Sequence, residues 1–216
     1  MIFTCIGHAK FLIELENGMR IITDPYDKFC GYPVEPMAAD VVLVSHGHHD
    51  HNAVETIKGS PMIINDAGEY HLEDGVNISA TWADHDDEGG TKRGKTLIFR
   101  IQAEGLTVAH LGDLGHLPTE HQRMFMGNVS VLMVPVGGFY TIDAPTAKQT
   151  AESFGARVVL PMHYKTRVNA DWPISSVEVF TQLYDEPAEE LDMLRVTLGD
   201  LQCQPKVAVL RPQSLK

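Results

Sequence analysis

Short apolar runs broken by turn residues set the rhythm of this chain. Residues 1–5, 11–16 and 19–23 read as strands, with Glu16-Asn17-Gly18 as a hairpin turn between the second and third. Asp24-Pro25 ends the third. The continuous apolar run at 41–44 is of the kind a sheet covers on both faces. Strand then alternates with helix. The pattern predicts a helix over 53–58, strands over 61–65 and 76–82, and a strand pair at 95–102 and 106–111 across Glu104-Gly105. It continues with a helix over 118–127, a buried strand over 129–136, a helix over 144–154 stopped by Gly155, and a strand over 157–161. A helix over 176–184 and two strands around Asp200 within 194–210 complete it. This is an α/β pattern in one domain, 1–216, with short connections and no linker or repeat.

Composition narrows the classes. Hydrophobic residues at 44% and charged residues at 21% belong to a folded globular chain. The formal net charge of −12 speaks against a nucleic-acid partner, which needs basic residues to displace counterions, and against an anionic membrane surface. The apolar runs are too short to span a bilayer, and the N-terminal stretch lacks the basic segment of a signal peptide. Three widely spaced cysteines form no disulfide framework, so reduced thiols and a cytoplasmic location are expected.

Eleven histidines change the picture, because four fall within His46-Gly47-His48-His49-Asp50-His51. Apolar strands repeatedly end in metal-type ligands: the 41–44 run at this loop, the 76–82 run at His85, the 106–111 run at Asp113, the 157–161 run at His163. Strand ends can converge on one rim of a sheet, as a site assembled from distant segments requires. Within the loop, His46 and His48 can share one ion while Asp50 and His51 aim at an adjacent one. The plainer alternative is a polar loop with Asp50 as a helix N-cap.

The loop resembles the HxHxDH signature of the metallo-β-lactamase superfamily, and Asp24, His85, Asp113 and His163 follow in the superfamily's order. Finer marks are similar to the branch of metal-dependent hydrolases related to L-ascorbate-6-phosphate lactonase. They are Gly7-His8-Ala9, His85-Asp86-Asp87 before Arg93-Gly94, His110 to His116, Pro135-Val136-Gly137-Gly138 and Pro161-Met162-His163-Tyr164. The resemblance spans about residues 1–200 and implies a four-layer αββα sandwich. It further implies one metal at His46, His48 and His85, a second at Asp50, His51 and His163, and Asp113 as the bridge. Asp50 and Asp113 are thereby also the catalytic candidates. Two divalent ions are expected, zinc first, with Mn, Ni or Fe suited to the same ligands. A bound water of lowered pKa would then hydrolyse a small ester, lactone, amide or phosphodiester.

Other residues carry narrower expectations. Asp24 fixes the ligand loop. His8 and His116 either support the site, touch substrate or are simply buried; His110 is structural, His49 points away, and His71 and His121 are solvated. Arg93 and Lys165, with Arg167, are candidates to read an anionic end of a small-molecule substrate. An iron-dependent oxidoreductase or oxygenase and a metal-dependent nuclease are the alternative functions. Too short a chain for a flavodoxin-type domain, a full second ligand set, and the acidic charge weigh against them. No GxSxG elbow or P-loop is present, and homo-oligomerisation is left open.

Overall fold

The computed structural model describes residues 1–215 and gathers the apolar runs into two six-stranded sheets. The first opens as an antiparallel meander of β1 (Ile2–Gly7), β2 (Lys10–Glu14) and β3 (Arg20–Thr23), with Gly18 in the left-handed region at φ 89° turning the predicted hairpin. After β4 (Met37–Ala38), β5 (Val41–Leu43) lies parallel to β3. β6 (Ile57–Lys58) pairs with β4 outside the sheet, and β7 (Met62–Ile64) lies parallel to β5 at the edge. The second sheet starts antiparallel with β8 (Gly68–His71), β9 (Asn77–Asp84), β10 (Lys95–Ala103) and β11 (Leu106–His110). It turns parallel through α1 (Glu120–Met126), β12 (Val131–Pro135), α2 (Ala144–Ser153) and β13 (Val158–Met162). α3 (Glu178–Thr181), β14 (Glu189–Leu191), β15 (Leu194–Arg195) and β16 (Ala208–Leu210) follow, with β15 returning to β1 and β14 pairing with β16.

Strand alternation decides what each face buries. In β10, Leu97, Phe99 and Ile101 join the core between the sheets while Ile98 faces outward under the helices. Phe3, Phe11, Ile13 and Ile21 meet them from the first sheet, each at most 1% exposed. Burial of such side chains contributes about 1.5–3 kcal/mol apiece. On the outer face of the second sheet, Ala144, Ala147 and Ala151 give α2 a small-residue stripe that packs on Leu132 and Val134. The Asp143 carboxylate accepts the Thr146 N–H to start that helix, and a Thr119–Gln122 capping box starts α1.

The structure is an α/β sandwich, but its layer over the first sheet is thin. Residues 53–58, expected as a helix, form a single 3-10 turn at Val54–Thr56 followed by β6. Val54, Thr56 and Ile57 are β-branched, and the Thr56 hydroxyl donates to the Ala53 carbonyl, both of which favour a turn over a continuing helix. This turn and the β4–β6 pair cover Leu12, Ile22, Val42 and Val44. The expected helix at 176–184 shortens to the one turn of α3, and the two strands near Asp200 pair with different partners. β8 and β14 lack apolar alternation, so nothing in the pattern announced them. The parallel course of β1, β3 and β5, and of β9, β11 and β13, sends all their C-terminal ends to one rim.

Candidate metal centre

Three overlapping groups of donors meet at that rim. His46, His48 and His85 form one; His8, Asp50, His51 and His163 form another; His46, His51 and Asp113 join the two, with donor atoms inside each group within 4.8 Å of one another. Asp113 holds the middle. Its Oδ2 lies 3.3 Å from Nε2 of both His85 and His163, and its Oδ1 lies 3.3 Å from Nε2 of His51. Donors bound to one ion at ~2.1 Å stand roughly 3–3.5 Å apart, so these are the edges of a coordination shell. His46 Nε2 and His48 Nδ1, 3.0 Å apart, make another.

The donor set fits divalent metal. Among the described residues, His51 Nε2, His8 Nε2 and Asp113 Oδ1, all facing this rim, are buried without a hydrogen-bond partner. Leaving such a group unsatisfied costs about 1–3 kcal/mol, so gathering them at one place demands a compensating ligand. Burial, reinforced by His51, lowers the His46 pKa to about 3, and burial with His163 lowers that of His8 to about 4, keeping these imidazoles neutral with a free lone pair. His51 is the exception: burial opposes its charge, but Asp113, Asp24 and Asp50 push it up to about 10. Asp113 pays the largest burial penalty of any effect on it, yet His163 and His51 hold its carboxyl well below the usual range.

Local structure explains how the donors are aimed. Asp24, directly after β3 and at φ 38°, accepts the Ser45 N–H at 2.7 Å, the Ser45 hydroxyl at 2.8 Å and the His51 Nδ1–H at 2.9 Å. One carboxylate thus pins both ends of the ligand loop and turns His51 Nε2 toward Asp113. Ser45 Oγ, 2.9 Å from His46 Nδ1, accepts that N–H and frees Nε2 for the site. Gly112 is needed at φ 48°, because a Cβ there would sit 2.5 Å from Thr96 Oγ1 and 2.7 Å from Ser45 Cβ. The Asp113 N–H then donates to Thr96 Oγ1. His163 and His8 share left-handed backbone, φ 54° and 55°, and the His163 N–H donates to the His8 carbonyl. No helix begins at Asp50, so it has no capping role.

The remaining sequence candidates separate clearly. Arg93 lines the 770 Å³ cavity above the donors, its guanidinium 5.7 Å from the Tyr140 ring centre and 6.0 Å from that of Phe139. Asp86 shapes the Arg93 loop by accepting N–H groups from Glu88, Gly90, Lys92 and Arg93, which outweigh its desolvation and lower its carboxyl to about 2. Lys165 does not line that cavity; its N–H donates to the Ser175 carbonyl beside a short β-bridge. His116 spends Nδ1–H on the Leu117 carbonyl and Nε2 on the Asp84 N–H, and lines a neighbouring 410 Å³ hollow instead. His110 binds the turn behind the site through the Ala9 carbonyl and the Gly112 N–H. His49 leans on Asp27, and His71 on Asn77. Sequence reasoning missed Ser45 and Thr96, and also the aromatic wall of Phe29, Tyr140 and Trp172. A hydroxyl ending the apolar run before HxHxDH was the available signal for Ser45; the aromatics lie in loops with none.

Known proteins resemble this chain in sequence and fold. The family model for the beta-lactamase superfamily domain matches residues 3–163. A UPF0173 metal-dependent hydrolase of Archaeoglobus fulgidus is 31% identical over 198 residues, covering 77% of this chain and 84% of the relative. A namesake from Methanoculleus marisnigri is 31% identical over 188 residues, covering 77% and 82%. A solved Thermotoga maritima structure, described as a candidate zinc-dependent hydrolase of the metallo-β-lactamase superfamily, aligns over 97% of each chain at 36% identity and TM-score 0.80. By sequence and by fold, this chain belongs to the metallo-β-lactamase superfamily.

Proposed function

We propose that this metal-dependent hydrolase works with two divalent cations side by side, zinc the first expectation, on a small ester, lactone, amide or phosphodiester. The observation that carries the reading is Asp113, which faces the donors of both groups at 3.3 Å. His46, His48 and His85 hold the first ion, Asp50, His51 and His163 the second, and Asp113 lies between. Two bound cations supply Lewis acidity at a substrate oxygen and lower the pKa of a water toward ~7. The protein's own part is orientation. Asp24 and Ser45 fix the tautomers of His51 and His46, so both present Nε2 to the site. Asp50, the more exposed of the two floor carboxylates, is placed to take or return a proton on the cavity side.

The cavity lining supports a narrower reading of the substrate. Phe29, Tyr140 and Trp172 wall it, and Arg93 is the one Arg or Lys among its described lining residues. An apolar or planar body with one anionic group fits that lining. Among the described residues no helix is long and apolar enough to cross a membrane, and Cys5, Cys30 and Cys203 are free, in keeping with the proposed cytoplasmic setting. The test is a panel of esters, lactones, phosphodiesters and β-lactams, run on metal-stripped protein with each metal added back. Hydrolysis that returns only with metal supports the reading; dioxygen consumption with iron and no hydrolysis overturns it.

A further inference from the structure

We propose that His8 binds the second cation directly, giving that ion five protein donors, and so deepen the dinuclear reading on which this rests. His8 follows β1 in the Gly7-His8-Ala9 turn, on a segment remote from the HxHxDH loop. Its side chain is fully buried, and neither ring nitrogen has a hydrogen-bond partner among the described residues. Nε2 lies 3.3 Å from Asp50 Oδ2, the same edge length that separates His51, His85 and His163 from Asp113. Its ring centre is 4.1 Å from that of His163 and 5.2 Å from that of His51. His8 therefore occupies a vertex of the same polyhedron as Asp50, His51 and His163.

The fold holds this histidine in place at some cost. Of the six non-glycine residues with positive φ among the described residues, Asp24, His8 and His163 lie at this site and Phe139 directly precedes the cavity-lining Tyr140. The other two, Asp74 and Glu104, precede glycines in ordinary turns. A left-handed histidine costs of order 1 kcal/mol, which a buried imidazole with nothing to bind does not return. Gly7 lets the turn close, since a Cβ there would stand 2.7 Å from Tyr32 Cδ1, and Trp172 meets the imidazole edge-to-face at 5.4 Å.

The consequence is two unlike sites. The first has His46, His48, His85 and Asp113, the four donors of a tetrahedral ion; the second has His8, Asp50, His51, His163 and Asp113, the shell of a five- or six-coordinate one. The test titrates metal-stripped protein with cobalt(II) alone, under chelator competition, for the wild type, His8→Asn and His8→Gly. Asn and Gly accept the left-handed backbone but cannot reach the ion, and thermal melts of the metal-free variants control for folding. The wild type should take two ions, with the second showing the weak visible bands of high coordination. Either variant should bind the second ion at least about tenfold more weakly, with stronger bands and an unchanged first site. Two ions bound with wild-type affinity and spectrum in either folded variant overturn the His8 assignment alone. A single ion at saturation in the wild type overturns the dinuclear reading and this inference with it.

Discussion

The floor and the wall of the cavity are built on opposite principles. On the floor, His51, His85, His163 and Asp113 are at most 2% exposed, and each leaves a donor or acceptor unpaired among the described residues. On the wall, Phe29 is 72% exposed and Tyr140 and Trp172 are half-buried, all on segments between the sheet strands. Floor residues are held by backbone geometry and buried partners such as Asp24, which carry no freedom to vary without loss. Wall residues answer only to whatever molecule enters. On the proposed reading the floor carries the chemistry and the wall the choice of substrate, and substitutions should separate the two.

The largest effect is expected at the shared floor carboxylate. Asp113→Ala should lower kcat/KM roughly 10³-fold or more, about 4 kcal/mol, and reduce bound metal at both sites. Steady-state kinetics with elemental analysis checks both parts. Asp50→Ala should lose turnover to a similar degree while its melting point moves little, because Asp50 caps no helix. Asp24→Ala comes next: without its grip on Ser45 and His51, affinity for metal should fall about 10–100-fold in chelator competition. On the wall, Arg93→Ala should raise KM about tenfold for anionic substrates, some 1.4 kcal/mol, with metal content unchanged. Equal KM for anionic and neutral substrates would remove Arg93 from recognition. Phe29→Ala should be smallest, shifting KM by no more than about threefold.

Acidity separates the regions too. In metal-free protein His51 titrates near 10, above its ordinary 6.5, so its contribution to stability is complete below about pH 6.5 and is lost as pH rises through 10. Asp24, burdened by burial but lowered below 3.8 by His51, contributes above that value and loses its contribution as pH falls. His8 and His46, kept neutral by burial down to about pH 4 and 3, cost stability as pH falls below 6.5, so metal-free melting points should peak near pH 6.5 and decline on both sides, and His51→Gln should flatten the alkaline decline. The Arg93→Ala profile should match the wild type.

The same division decided what the sequence revealed. Metal chemistry accepts few residue types, and strands must deliver them at their ends, so the converging set of His46, His48, Asp50, His51, His85, Asp113 and His163 was legible as candidate donors, as was Asp24 beside Pro25 as the residue that fixes their loop. Core strands were legible for a related reason: period-two burial leaves an alternation in the residues, as in 97–101. Polar edge strands such as β8 carry no such mark, and the β-branched 53–58 segment mimicked a helix by its length alone. Lys165 stands two residues from the candidate donor His163 yet does not line the cavity, because proximity along the chain says nothing about which side of a loop faces the site. The dual reach of Asp24 joins residues 21 and 27 positions apart, a contact only the folded sheet creates.

The most direct test of the account is the magnetic state of manganese(II)-saturated protein together with its metal content. Two ions per chain with an exchange-coupled electron paramagnetic resonance spectrum, as a pair roughly 3.5–4 Å apart across Asp113 requires, is the predicted result. One ion per chain at saturation, with an isolated-ion spectrum that His51→Ala leaves unchanged, would contradict it.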